Sequence, residues 1–279
     1  MKIIIKCLAV IFTLMIYGCK TNGDEIKKYF FEDQMTAPAE MRFLKKDSIE
    51  VYQSENFIKK YGDQSSNIFE NIEILKKEFK ASSPKMTTVL YLNDTMFKYK
   101  YDGRFFNENS TFLLSNSETL PNYNIDNILF HELIHIFQYQ AWNLNTIAEK
   151  NKGAFQWIIE GHALFLSYNL KHAGENIKTD RAYILDYTKK LNTAYANGES
   201  YSLKGIEHIY QLTELGKYNY GVFWGFAEFI DEEYGIEKIT HYNNELINSS
   251  HENAIKKVFG DSEKELLKKF KNKWPEFFY

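Results

Sequence analysis

Cysteine, proline and glycine are all scarce in this 279-residue sequence, at 2, 4 and 14 residues. So few chain-breaking residues beside 20 Tyr and 22 Phe exclude collagen-like, low-complexity and largely disordered chains, and imply a folded globular protein. Positive charge is not in excess either. The 34 Lys and Arg stand against 37 Asp and Glu, a net charge of −3, which lacks the electrostatic footprint of a nucleic-acid binder, so no nucleic-acid partner is expected. The apolar run near the start, Cys7 to Tyr17, is only eleven residues, enough for the core of a signal peptide and too short to cross a bilayer as a helix. No internal repeat of fixed period and no Gly-rich phosphate loop between a strand and a helix is present.

What is there begins with that run. Lys2 and Lys6 precede it and Ile16-Tyr17-Gly18-Cys19 closes it, an ending that resembles the bacterial lipobox, although Tyr17 departs from its commonest pattern. Residues 1–18 are therefore expected to be a lipoprotein signal peptide, with Cys19 carrying the lipid that holds the protein to the bacterial cell envelope, at the outer membrane or cell surface. Cys7 leaves with the signal, so no thiol remains for a disulfide, a nucleophile or a Cys-rich metal site. Residues 19–38 are polar and without an apolar period, which suits a tether, and 39–279 are expected to form the folded domain.

Within that domain, Ile49 to Tyr52 alternates like a short strand, and Ile68, Ile72, Leu75 and Phe79 recur at helical spacing. Met86 to Leu92 and Thr111 to Ser115 read as further strands. From Asn124 onward the pattern is helical, near 125–141, 155–172, 179–196, 203–214, 219–234, 236–247 and 262–273. Strands first and helices afterwards give an α+β class, with a small, mostly antiparallel N-terminal sheet ahead of the helices.

The helix near 125–141 contains His131-Glu132-Leu133-Ile134-His135. Histidines four apart lie on one helical face, so both imidazoles can reach a single Zn²⁺ while Glu132 points at the water beside it. Apolar residues surround them on every side, and ionisable groups in such a setting are costly unless paired or metal-bound.

A catalytic zinc site takes a third protein ligand. His162, His172, His208, His241 and His251 are available, but none has the short downstream spacing of the three-His zinc proteases. Glu160 is the better candidate. It follows His135 after 24 intervening residues, enough for the first helix to end and a second to return alongside, with the small Gly161 and Ala163 next to it.

HELIH followed by Trp157-Ile158-Ile159-Glu160-Gly161-His162-Ala163 resembles the gluzincin metallopeptidases, especially the peptidase MA-like group and the clostridial-type collagenases, whose second motif has the form Trp-x-x-Glu-Gly-x-Ala. The resemblance covers roughly residues 45–270. It implies a zincin-like fold, Zn²⁺ as cofactor, His131, His135 and Glu160 as ligands, Glu132 as general base, and a peptide or protein as substrate. It further implies that Tyr218, in Tyr218-Asn219-Tyr220-Gly221, steadies the tetrahedral intermediate, with Tyr220 as the fallback. Two departures narrow the choice. The Gly-x-Met-Glu-Asn stretch of the large gluzincin aminopeptidases is missing, and Leu164 stands where thermolysin-like relatives carry an Asp four residues after the glutamate, so the acceptor that orients the zinc histidines is not identified. The reading is thus a zinc peptidase on an anchored lipoprotein, beside two rivals: an aminopeptidase on short peptides, and an inactive zincin-fold binding lipoprotein.

Overall fold

The computed structural model describes residues 41–84, 86–90, 113–114, 125–144, 146–147, 156–171, 206–209 and 220–275. The expected signal peptide, Cys19 and the tether lie outside these residues, as do the helix near 179–196 and most of the one near 203–214. The chain divides into two compact units, with the division after Ala141.

In the first unit, β1 (Met41–Lys46) and β2 (Ile49–Ser54) form a hairpin, followed by helices α1 (Glu55–Tyr61) and α2 (Ser65–Glu78) and strands β3 (Met86–Leu90) and β4 (Leu113–Leu114). The sheet runs β1-β2-β3-β4. The expected antiparallel pairing holds for β1 with β2, whereas β2 with β3 and β3 with β4 are parallel. The cause lies in the connections. A two-residue turn, with Asp47 at φ 53, reverses the chain between β1 and β2, but α1 and α2 carry it back to the same end of the sheet before β3 begins. Ile49, Val51 and Met86 are buried, as are Ile68, Ile72 and Leu75 of α2.

Gln53 sets where α2 starts. Its Oε1 accepts from the Gln64 N–H at 2.8 Å, and its Nε2 donates to Asp63 Oδ1 at 2.6 Å and to Ser65 Oγ at 2.8 Å. One buried amide thereby satisfies groups that a helix start would otherwise leave open. The unit ends one residue before the end of α3 (Ile125–Trp142), the helix that carries HELIH.

The second unit holds α4 (Gln156–Lys171), α5 (Tyr220–Tyr234), α6 (Glu237–Leu246), α7 (His251–Phe259) and α8 (Glu263–Lys273). The α+β order is as expected, with strands first and helices after, and α4, α5, α6 and α8 fall within two residues of their expected bounds. Helix α7 was not expected. Ser250 caps its start by accepting from the Asn253 N–H, and Gly260 ends it in the left-handed region at φ 76. Among the described residues, no helix is long and apolar enough to cross a membrane.

Glu263, in the first turn of α8, gathers this unit. It accepts from His251 Nε2 at 3.1 Å, His208 Nδ1 at 3.2 Å and the Ile209 N–H at 2.6 Å, while the buried Tyr242 hydroxyl of α6 meets the other nitrogen of His251. Burial alone would raise the Glu263 pKa, but the hydrogen bonds from His251, His208 and Ile209 outweigh it and hold the carboxyl below its ordinary value of 4.5. The folded-state pKa is thus below the unfolded one, so the stability Glu263 contributes is full above about pH 4.5 and is lost as pH falls through the lowered folded value. Urea midpoints measured across that range are expected to fall more steeply for the wild type than for Glu263→Gln. Parallel acid limbs would show that this carboxylate is not the group responsible.

A close backbone approach in the unit is at Gly161. A Cβ built there would stand 2.4 Å from the Phe223 carbonyl oxygen of α5, inside any tolerable separation. Its expected smallness therefore serves the packing of α4 on α5. Gly161→Ala is expected to destabilise the protein by about 1–3 kcal/mol, the cost typical of overpacking, and urea denaturation checks it; an unchanged midpoint would mean that the helices separate freely.

Candidate metal centre

Helix α3 is sequestered along most of its length. Leu129, Phe130, Leu133, Ile134, Ile136 and Phe137 are fully buried, so no single apolar stripe defines a solvent face. Phe137 packs on Phe79 at the end of α2, with ring centroids 5.5 Å apart. The opposite end is tied by polar contacts, where Asn67 of α2 donates to Asp126 at 2.8 Å. Asp126 also sits in the first turn, where a carboxylate complements the helix dipole.

His131 and His135 stand one turn apart with their rings nearly perpendicular, at 88°, and centroids 4.6 Å apart. Their Nε2 atoms are 3.0 Å from each other, both turned to the same small volume. His135 is buried and its other nitrogen, Nδ1, lies 2.8 Å from Oε1 of the fully buried Gln138. Glu132, between the histidines in sequence, is only 9% exposed. Burying a carboxylate is expensive unless something nearby uses its charge.

On α4, Trp157 and Gly161 are one turn apart and set the face against α5: Gly161 abuts Phe223, and the Trp157 ring meets that of Phe226 at 4.8 Å. Glu160 is rotated off that face by the 100° per residue of a helix and stays half-buried. One ligand atom from each of His131, His135 and Glu160 falls within 4.8 Å of the others. Two imidazole nitrogens and a carboxylate oxygen so grouped fit the donor set of a divalent metal, and match the His₂Glu ligation used in catalytic zinc sites. Among the described residues this is the only such grouping of three or more His, Cys, Asp or Glu.

Three of the other histidines are engaged elsewhere. His162 is buried against the Trp142 ring at 4.9 Å, His208 and His251 hold Glu263, and His241 is exposed on α6. His172 and Tyr218 lie outside the described residues, and Tyr220 is the first residue of α5. Trp142 in turn donates to Thr240 Oγ1 at 3.3 Å, so the indole that covers His162 is itself fixed. The contact between Gln138 and His135 was not foreseen. A glutamine three residues after the second histidine is the only sign of it in the sequence.

No family model matches the chain, and no curated protein matches it. Among solved structures, a point mutant of the M1 zinc metallopeptidase from Deinococcus radiodurans aligns over 82% of this chain, at 11% identity and a TM-score of 0.45. The chain spans 50% of that structure's length.

A divalent ion that binds only the folded state must stabilise it by linkage. At free Zn²⁺ about 100-fold above Kd the gain is about 2.7 kcal/mol, which corresponds to a rise in unfolding temperature of about 5–10 °C. Calorimetry of the wild type with and without Zn²⁺ is expected to show it, and His131→Ala and Glu160→Ala to lose it. A full shift in Glu160→Ala would move the third ligand to another residue.

Proposed function

We propose that the chain is a zinc-dependent peptidase, held at the bacterial envelope through lipid on Cys19. The observation that carries this reading is the convergence of His131, His135 and Glu160 donors, with Glu132 one residue from the first of them on the same buried helix. When bound, zinc supplies Lewis-acid chemistry, polarising a peptide carbonyl and acidifying water. The two imidazoles and the Glu160 carboxylate hold the ion. Glu132 accepts the proton of the attacking water and returns it to the departing amine, so one carboxylate serves as base and then as acid. Tyr218 donates its hydroxyl to the oxygen that becomes negative as the carbonyl turns tetrahedral. The buried Leu129, Phe130, Leu133 and Ile134 keep water from the inner side of α3 and hold the ligand pair in place.

The anchoring part of the reading is supported by the lysines, the short apolar run and the lipobox-like ending at Cys19. Mass spectrometry of the mature N-terminus tests it separately, and an unmodified chain that starts elsewhere would remove the anchor without touching the chemistry.

Glu132→Gln tests the chemistry. The amide keeps the shape of the side chain and cannot take a proton, so zinc content and melting temperature are expected to stay at wild-type values while the rate of peptide-library digestion falls by about 10² to 10⁴. In the same assay Tyr218→Phe is expected to retain zinc and lose about 10² to 10³ in kcat. Near-wild-type turnover by zinc-loaded Glu132→Gln would overturn the assigned mechanism, and a zinc-loaded wild type that cleaves nothing in the library would favour a binding protein on this scaffold.

A further inference from the structure

We propose that Gln138 is the positioning residue of the metal centre, its side-chain carbonyl fixing His135 in the one tautomer that can ligate. The inference rests on the metal-site reading above and adds a residue to it. A neutral imidazole carries one N–H, and a ligating nitrogen must be the other one. In His135 the nitrogen turned toward His131 is Nε2, 3.0 Å from its counterpart, so ligation through it requires the proton to reside on Nδ1. Nδ1 lies 2.8 Å from Gln138 Oε1, an atom that only accepts. The reversed amide would present its NH₂ to Nδ1, drive the proton onto Nε2 and aim it at the place an ion would occupy.

Burial makes this choice consequential. Gln138 is fully buried and His135 is 5% exposed, so no bulk water is available to replace the acceptor if it is removed. The arrangement is also local: residues 135 and 138 are neighbours on one face of α3, and the contact needs no other element to form. It supplies an acceptor at a chain position different from 164, where the apolar Leu164 can accept nothing.

Two variants separate the role from mere packing. Gln138→Leu keeps the bulk without an acceptor, whereas Gln138→Glu keeps an acceptor oxygen. Zinc affinity, read by competition with a chromophoric chelator, is expected to fall about 10- to 100-fold in the Leu variant, the range typical when the partner of a ligating histidine is lost, and to recover most of that in the Glu variant. Nitrogen-15 spectra of the metal-free protein give a second readout that does not depend on zinc: His135 protonated on Nδ1 in the wild type, and a shift toward the Nε2–H form in Gln138→Leu. A folded Gln138→Leu protein with wild-type zinc affinity and tautomer would overturn the inference. Should that variant fail to fold, a wild-type spectrum with His135 protonated on Nε2 alone would overturn it equally. A wild type that takes up no zinc yet holds His135 as Nδ1–H would sink the peptidase reading while supporting the tautomer assignment.

Discussion

Ionisable side chains in the middle of a helix buried on nearly every side are the constraint around which this structure is arranged. Glu132 and His135 are buried and His131 half-buried among apolar residues with no access to water, and removing such groups from solvent costs several kcal/mol each unless they find partners. The compensation is visible in layers. Gln138 meets one imidazole, the second imidazole meets the first, and the Glu160 carboxylate completes a donor set that a cation would satisfy. The same demand reaches the ends of the helix, where Asn67 fixes Asp126 and Phe79 covers Phe137. A helix so immobilised presents His131 and His135 with little freedom left to lose, the condition under which binding an ion would cost least entropy.

The second unit solves a related problem by different means. Glu263 is surrounded by donors from two histidines and one backbone amide, so a single anion links the segment 206–209, α7 and α8, with Tyr242 of α6 joined through His251. Near the surface a smaller version recurs, in which Asp261 accepts from Lys269 and the Tyr234 hydroxyl. There burial raises the Tyr234 pKa to about 12, reinforced by its hydrogen bond to Asp261, so the phenol stays a donor throughout the physiological range. The centre of the unit is otherwise aromatic, with Phe226, Phe229, Phe270 and Trp157 meeting ring to ring.

How much of this was legible in the sequence follows from the range of each signal. The approach of His131 to His135 was readable because the spacing of residues four apart depends on helical geometry alone, and the helix that carries Glu160 because its pattern is long and periodic. Long helices with strong periodic patterns were placed well. Strand β1 was not, since Arg42 to Lys46 are all exposed and carry no alternation, and the strand exists through its ladder with β2. Short helices α1 and α7 were missed for a similar reason: each places only one to three residues in the core, too few for a period to emerge. The parallel pairing of β3 was hidden because strand direction depends on where the intervening helices deliver the chain. Glu263 lies 55 residues from His208, and no local rule reveals such a partner.

The contact at Gly161 constrains how this protein can change over time. A side chain there collides with a backbone carbonyl oxygen and with the carbon that bears it, atoms that any amino acid at position 223 would present in the same place. Replacing Phe223 therefore cannot relieve the collision, unlike a clash between two side chains, where shrinking one makes room for the other. Genetic suppressors of a Gly161 substitution would have to act by shifting a whole helix, through changes spread along α4 or α5. Because Glu160 is the adjacent residue, such a shift would carry the carboxylate with it. Drift at this glycine is thus opposed by geometry shared by all L-amino acids, and compensation for a substitution would have to be distributed along a helix rather than supplied at one neighbouring side chain.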